Sequence, residues 1–230
     1  MPELNLDLHP AQLQIFHSNK RFKIVAAGRR FGKSYLSAWI LLIKAIQSTN
    51  KDVYYIAPTF QQAKDIMWSL LKDLGRDLIA QAHENTATLT LINGRKIYLK
   101  GSDRESTLRG AGLAYVVMDE MANIKPVVWE QIIRPTLADI KGGCLMIGTP
   151  AAKNHFFDLY KDALEDDEWD AFQFNSTDNP FLPPEEIEAA RKNMSSMAFR
   201  QEFEASFETG SGGIFKESWF KVDDEPEEGN

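Results

Sequence analysis

Cysteine is all but absent from this 230-residue chain. Cys144 has no partner for an internal disulfide, and within the apolar run GGCLMIGTP it reads as a small buried strand residue, not a nucleophile. Histidine is scarce too. His9, His17, His83 and His155 show no ligand spacing with one another or with Cys144, which argues against a zinc site. No window approaches the roughly eighteen unbroken apolar residues of a membrane span. The opening MPELNLDLHP has neither the basic nor the apolar region of a signal peptide, so the expected compartment is the cytoplasm and no membrane partner is expected.

Positive charge is in deficit as well. The net charge of −7 argues against a protein that simply coats nucleic acid. The deficit is uneven: residues 1–150 carry 19 Lys and Arg against 13 Asp and Glu, whereas residues 151–230 carry 7 against 20. A mildly basic front half leaves room for a localised phosphate contact. The 43% hydrophobic content is enough for the core of one large α/β domain.

Apolar periodicity lays out strands alternating with helices. RFKIVAAG reads as a short buried strand entering a turn, KSYLSAWILLIKAIQS as a helix, and DVYYIAPT as a second strand closed by Pro58. FQQAKDIMWSLLKDLGRDLIA has helical spacing at Ile66, Leu70, Leu74 and Leu78, with Thr59 placed to cap it. TATLTLINGRKIYLKGS alternates apolar and polar residues about Asn93-Gly94, the pattern of a β-hairpin. LAYVVMDE is an apolar run ending in two acids, a helix is expected near residues 127–137, and GGCLMIGTP supplies another strand. Past residue 150 the pattern predicts two helices, PPEEIEAARKNM and SSMAFRQEFEASFE, within a small helical segment at 176–209. A Gly-rich linker and acidic tail at 210–230 complete the layout, with residues 1–209 as one domain.

Such alternation implies a mainly parallel sheet covered on both faces, whose ligands bind beyond the carboxyl ends of the strands. Three strand ends carry suggestive residues. After the first comes GRRFGKS, where amides of a tight turn at a helix N-terminus cradle phosphate, Lys33 neutralises it and the Ser34 hydroxyl suits Mg²⁺. The usual eight-residue form has glycine where this chain has Ala27. Alone, Gly-Lys-Ser is equally an ordinary strand-turn-helix with a surface lysine. About ninety residues later, YVVMDEMA delivers Asp119 toward a metal and Glu120 toward an attacking water, although an Asp-Glu pair also ends many strands as solvated acids. Together the two motifs point to a site that hydrolyses a nucleoside triphosphate. Gly148-Thr149-Pro150 closes a neighbouring strand, where a threonine can sense the γ phosphate. Gln12, upstream in LHPAQLQIF, can pair with adenine or simply cap a helix.

The ordered set GRRFGKS, STLRGAG, YVVMDEMA, VVWEQIIRPTLADIKGGCLMIGTPAAKNHFFDLY and FRQEFEASFETGSGGIF resembles the ATPase domain of the large terminase subunit of tailed bacteriophages. The resemblance implies an ASCE-type P-loop ATPase with a β-hairpin insertion, using ATP and Mg²⁺. It places nucleotide along Ala27, Gly28, Arg29, Arg30, Phe31, Gly32, Lys33 and Ser34, with Gln12 at the adenine. Asp119 and Ser34 become the Mg²⁺ residues, Glu120 the catalytic carboxylate, and Gly148, Thr149 and Pro150 the coupling motif. Arg109 corresponds to an arginine inserted into a neighbouring subunit's site, with Arg104 its competitor. Arg29 is expected to reach the γ phosphate or the Glu120 carboxylate from within the loop, and Arg30 is read as structural.

The same resemblance implies double-stranded DNA, the portal protein and the small terminase subunit as partners. It implies a ring, expected to be a pentamer, on the procapsid portal in the host cytoplasm, and a monomer in isolation. It also implies a motor without the family's nuclease domain, so no DNA cleavage is expected of this chain. Lys100, Arg104, Arg95 and Lys96 are candidate DNA contacts, although charged hairpin edges are usually just solvated. Two competing readings are the first motor domain of a helicase-like translocase and a nucleotide-operated switch with little turnover.

Overall fold

The computed structural model describes residues 6–110 and 112–208; the expected linker and tail at 210–230 lie outside them. The chain runs α1 (Pro10–His17), β1 (Phe22–Ala27), α2 (Lys33–Gln47), β2 (Val53–Ala57), α3 (Phe60–Leu74), β3 (Ile79–His83), β4 (Thr88–Leu91), β5 (Lys96–Gly101) and β6 (Tyr115–Asp119). A π-helical turn (Val128–Ile133) leads into α4 (Arg134–Thr136), followed by β7 (Gly143–Gly148), α5 (His155–Ala163), β8 (Trp169–Phe174), α6 (Pro184–Asn193) and α7 (Ser196–Phe203). All eight strands form one sheet in the order β3-β4-β5-β2-β6-β7-β1-β8. From β5 to β8 every pairing is parallel, and β4 and β3 extend the β5 edge as an antiparallel meander.

The period of two along β1 distributes its side chains to both faces. Phe22, Ile24 and Ala26 join the core under the π-helical turn and α5, while Val25 and Ala27 join the core under α1, α2 and α3. All six residues of β1 are buried, as expected of a strand flanked by two others and covered on both faces. One strand, β7, lies between β1 and β6. Consequently the turn after β1, the acids at the end of β6 and the threonine after β7 emerge side by side at the carboxyl ends of these parallel strands.

Local signals explain the boundaries, and several of the sequence expectations are corrected. Thr59 does cap α3: its hydroxyl accepts from Gln62 N–H and its own N–H donates to the Gln62 side chain, each at 3.2 Å, a box worth about 1 kcal/mol. That helix stops at Leu74, so Leu78 is outside it, because Gly75 ends the turn in a space where a Cβ would stand 2.6 Å from Leu42. Its buried face is Ala63, Met67, Trp68 and Leu71, one step round from the expected stripe, and residues 79–83 become β3 against the hairpin. The helix expected near 127–137 is largely π-helical. Both α5 and β8 were unexpected, and α7 ends at Phe203, well short of Glu208, where Ala205 turns left-handed at φ 51°. Among the described residues no helix is long and apolar enough to cross a membrane.

Alternation also buries a charge. Lys23 is only 3% exposed between β7 and β8, with Lys44 near it and Asp170 across the ladder. Burial, reinforced by Lys44, lowers its pKa to about 8. The unfolded chain therefore binds the extra proton between that value and the ordinary lysine pKa of 10.5, so stability rises with pH through this window and is penalised below it. Lys23→Met should stabilise the fold at neutral pH by up to about 3 kcal/mol and abolish the rise between pH 8 and 10.5; denaturant melts at several pH values check both.

Candidate active site

The loop after β1 shows where glycine is needed. Ala27 is the last residue of the strand, paired with Phe174 in extended backbone, and requires no glycine. Gly28 does: a Cβ there would lie 2.5 Å from both the Phe203 carbonyl and the Ser176 hydroxyl. Gly32 does for two reasons, a φ of 96° and a Cβ that would meet the Gln12 amide at 2.5 Å. Arg30 is the second left-handed residue, at φ 63°.

Every carbonyl of the loop is tied by a side chain. Lys33 Nζ donates to the carbonyls of Ala27 and Gly28, each at 2.9 Å. Ser176 Oγ donates to Arg29 and Asn179 Nδ2 to Arg30, each at 2.6 Å. His9 Nε2 donates to Phe31 at 2.9 Å and Gln12 Nε2 to Gly32 at 3.0 Å. The amides are treated differently. Gly28, Arg29 and Phe31 donate to Phe174, Glu202 and Gly28, but among the described residues the amides of Arg30, Gly32, Lys33 and Ser34 find no acceptor. Those free N–H groups stand at the N-terminus of the 15-residue helix α2, a ready anion site.

Around this turn lie the charged groups. The Lys33 ammonium spends its third donor on Thr149 Oγ1 at 2.9 Å, and its burial lowers its pKa against the opposing pull of Asp119 and Glu120. Asp119 is 2% exposed; burial raises its pKa despite two hydrogen bonds, from Tyr55 OH to Oδ2 at 2.6 Å and from Glu120 N–H to Oδ1 at 2.8 Å. Glu120 is half-buried, its pKa raised by desolvation and then by the Asp119 charge. A carboxyl tuned upward beside an anion site is a fitting general base.

Three recesses surround the loop. A cleft of about 960 Å³ runs over Gly32, Lys33, Ser34 and Tyr35 to α6. A second, of about 390 Å³, is lined by Arg29, Lys33, Glu120, Thr149, Pro150 and Glu202. The third, of about 310 Å³, lies between His9, Gln12, Tyr35 and Phe181. The structure thus gathers Gln12, the loop from Ala27 to Ser34, Asp119, Glu120 and Gly148-Thr149-Pro150.

Several side chains are not where the sequence put them. The Arg29 guanidinium pairs with Glu202 of α7, not with Glu120. Gln12 has its amide engaged by His9 N–H and the Gly32 carbonyl, so it pins the loop. Phe31 is fully buried, stacked on Phe174 with ring centroids 5.1 Å apart. Arg104 and Arg109 are exposed and line none of the three recesses. The sequence pattern does not single out Tyr55, Ser176, Asn179 or Glu202. For Tyr55 a signal existed, since a buried tyrosine in a central strand needs a partner for its hydroxyl; the others gave none.

Comparison with known proteins points to one family. The family model described as terminase large subunit, T4likevirus-type, N-terminal, matches residues 24–222. The terminase large subunit of Escherichia phage T5 is 29% identical over 202 residues, 85% of this chain and 46% of that protein. That of Thermus virus P23-45 is 26% identical, covering 90% of this chain and 50% of that protein. The chain therefore spans about half the length of these relatives. Among solved structures, the large terminase ATPase domain of Thermus phage P74-26 superposes with a TM-score of 0.77 at 25% identity, covering 89% of this chain and 95% of that one. The large terminase of a thermophilic bacteriophage, solved in complex with ATP-γ-S, shares the fold, with a TM-score of 0.74 at 17% identity over 86% of this chain and 52% of that one.

Restoring the usual glycine should not help. Ala27→Gly is expected to cost about 0.5–1 kcal/mol through strand entropy and to leave nucleotide binding unimproved, whereas Gly28→Ala should lose about 1–3 kcal/mol through the clash with Phe203 and Ser176 and weaken binding. Chemical denaturation and ADP titration measure both.

Proposed function

Because the chain belongs to the T4-like family of terminase large-subunit N-terminal domains, we propose that it is an ATP-hydrolysing motor domain that drives double-stranded DNA into a viral procapsid. The observation that carries this reading is the loop itself: six carbonyls tied back, four amides free, and a lysine ammonium facing one buried and one half-buried carboxylate at the carboxyl ends of neighbouring strands. On ATP binding, phosphate oxygens accept from those amides and take Lys33 in exchange for the Ala27 and Gly28 carbonyls. Thr149 loses or shares its donor at that moment, which suits a coupling role.

Ser34 and Asp119 are hard oxygen donors of the kind Mg²⁺ accepts alongside phosphate and water. Mg²⁺ would neutralise charge building on the phosphates. Glu120 removes a proton from the attacking water, and its burial keeps it basic enough to do so. Gln12 and the recess beside it lie where the base is expected. Arg109, exposed and making no hydrogen bond or ion pair among the described residues, is available to a neighbouring subunit, the arrangement of an arginine finger. The portal, the small subunit and a ring of copies complete the proposed assembly.

Glu120→Gln should keep ATP-γ-S binding and lose hydrolysis by about 10²–10⁴-fold; steady-state turnover equal to the parent's would favour a switch instead. Arg109→Ala and Lys33→Ala, each inactive alone, should regain hydrolysis when mixed at concentrations where subunits associate. Absence of that gain would count against a finger acting in trans.

A further inference from the structure

Glu120 occupies a backbone conformation that its own side chain opposes. At φ 52° and ψ 45° it is left-handed, a conformation that the Cβ of a non-glycine residue disfavours, so surrounding contacts must hold the turn. Part of the restraint is local: Asn123 N–H donates to the Glu120 carbonyl and Glu120 N–H to Asp119 Oδ1, each at 2.8 Å. The rest comes from another segment. His155 Nε2–H donates to the Met121 carbonyl at 3.0 Å, and Asn154 Nδ2–H donates to the Ala122 carbonyl at 3.3 Å. Beside them the end of β7 approaches so closely that a Cβ on Gly148 would stand 3.0 Å from Met121 N.

We propose that Asn154 and His155 are positioning residues for hydrolysis, fixing the turn that carries Glu120 and joining it to the segment that begins at Thr149. The inference rests on Glu120 acting as the base. The chemistry of each side chain suits the task. Asn154 divides its amide: Oδ1 accepts from Phe156 N–H at 3.0 Å and caps α5, while Nδ2 serves the Glu120 turn. A carbonyl only accepts, so His155 is held as the Nε2–H form. Neither residue lines a recess around the loop, so their loss should act on rate and not on nucleotide binding. The same two bonds give a mechanical path. Thr149 contacts Lys33, and the residues just after it grip the Glu120 turn, so a displacement at the phosphate loop reaches α5 and the base together.

The divided role of Asn154 makes the test specific. Asn154→Asp keeps the cap acceptor and removes the donor; His155→Phe keeps a ring and removes the donor; His155→Gln keeps a donor. Single-turnover ATP hydrolysis, equilibrium ATP-γ-S binding and thermal unfolding are measured for each. Hydrolysis should fall roughly 10- to 100-fold in Asn154→Asp and His155→Phe, with binding and unfolding temperature unchanged, and should stay close to the parent rate in His155→Gln. Parent-like rates in both donorless variants overturn the proposal. So does a loss matched by equal loss of binding or folding, or a His155→Gln as slow as His155→Phe. Glu120→Gln run alongside separates the two ideas: if it hydrolyses like the parent, the base reading falls. If it is inactive while Asn154→Asp and His155→Phe are fully active, only the positioning role falls.

Discussion

A turn can present amides to an anion only if its carbonyls are satisfied elsewhere, and that requirement organises this molecule. Buried backbone groups must be paired, yet here the amides of Arg30, Gly32, Lys33 and Ser34 have to stay free. The six carbonyls from Ala27 to Gly32 are met by Lys33 within the loop, by His9 and Gln12 from α1 and its cap, and by Ser176 and Asn179 from the segment after β8. Two parts of the chain from opposite ends of the sequence therefore converge on one turn. The small α1 and the irregular stretch before α6 are parts of the site as much as of the scaffold.

The same convergence sets the electrostatics. Lys33, Asp119 and Glu120 are each pushed toward their neutral forms by burial, and the ammonium and the two carboxylates pull one another back. Tyr55 completes the balance with a hydrogen bond to Asp119, and its own pKa is pushed well up by burial and by that carboxylate. A bound polyphosphate would tip this arrangement by adding negative charge beside Lys33. Arg29, 67% exposed, is held against Glu202 on α7; an exposed pair of this kind is worth at most about 1 kcal/mol, so a stronger anion can compete for the arginine.

Strand order joins these contacts into one hydrogen-bonded series. With β7 between β1 and β6, Thr149 stands between the loop with the free amides and the turn that carries Glu120. One hydrogen bond reaches back to Lys33, and the residues following Thr149 reach forward to Met121 and Ala122. The left-handed backbone of Glu120 is thus maintained by a neighbouring segment, an arrangement in which strain and its restraint lie on different elements.

Pattern along the chain was enough for the parallel α/β class, the hairpin at Asn93-Gly94 and the cap at Thr59, and it singled out Lys33, Ser34, Asp119, Glu120 and Thr149, which the fold brings together. Each was legible because it depends on local periodicity or on residues adjacent along the chain. The remaining features were settled by contacts that form only on folding. The end of α3 at Gly75 answers to Leu42 from another helix; Ala27 is admitted by its strand pairing with Phe174, and the indispensable glycine at 28 is set by Phe203 and Ser176. Arg29 looked like a phosphate ligand, and its partner Glu202, 173 positions away, is invisible to any local pattern. Tyr55, Asn154 and His155 likewise gain meaning only once strands β2, β6 and β7 are placed side by side. A hydrogen bond between distant residues leaves no periodic trace in the chain, because its energy depends on where the fold brings the two groups.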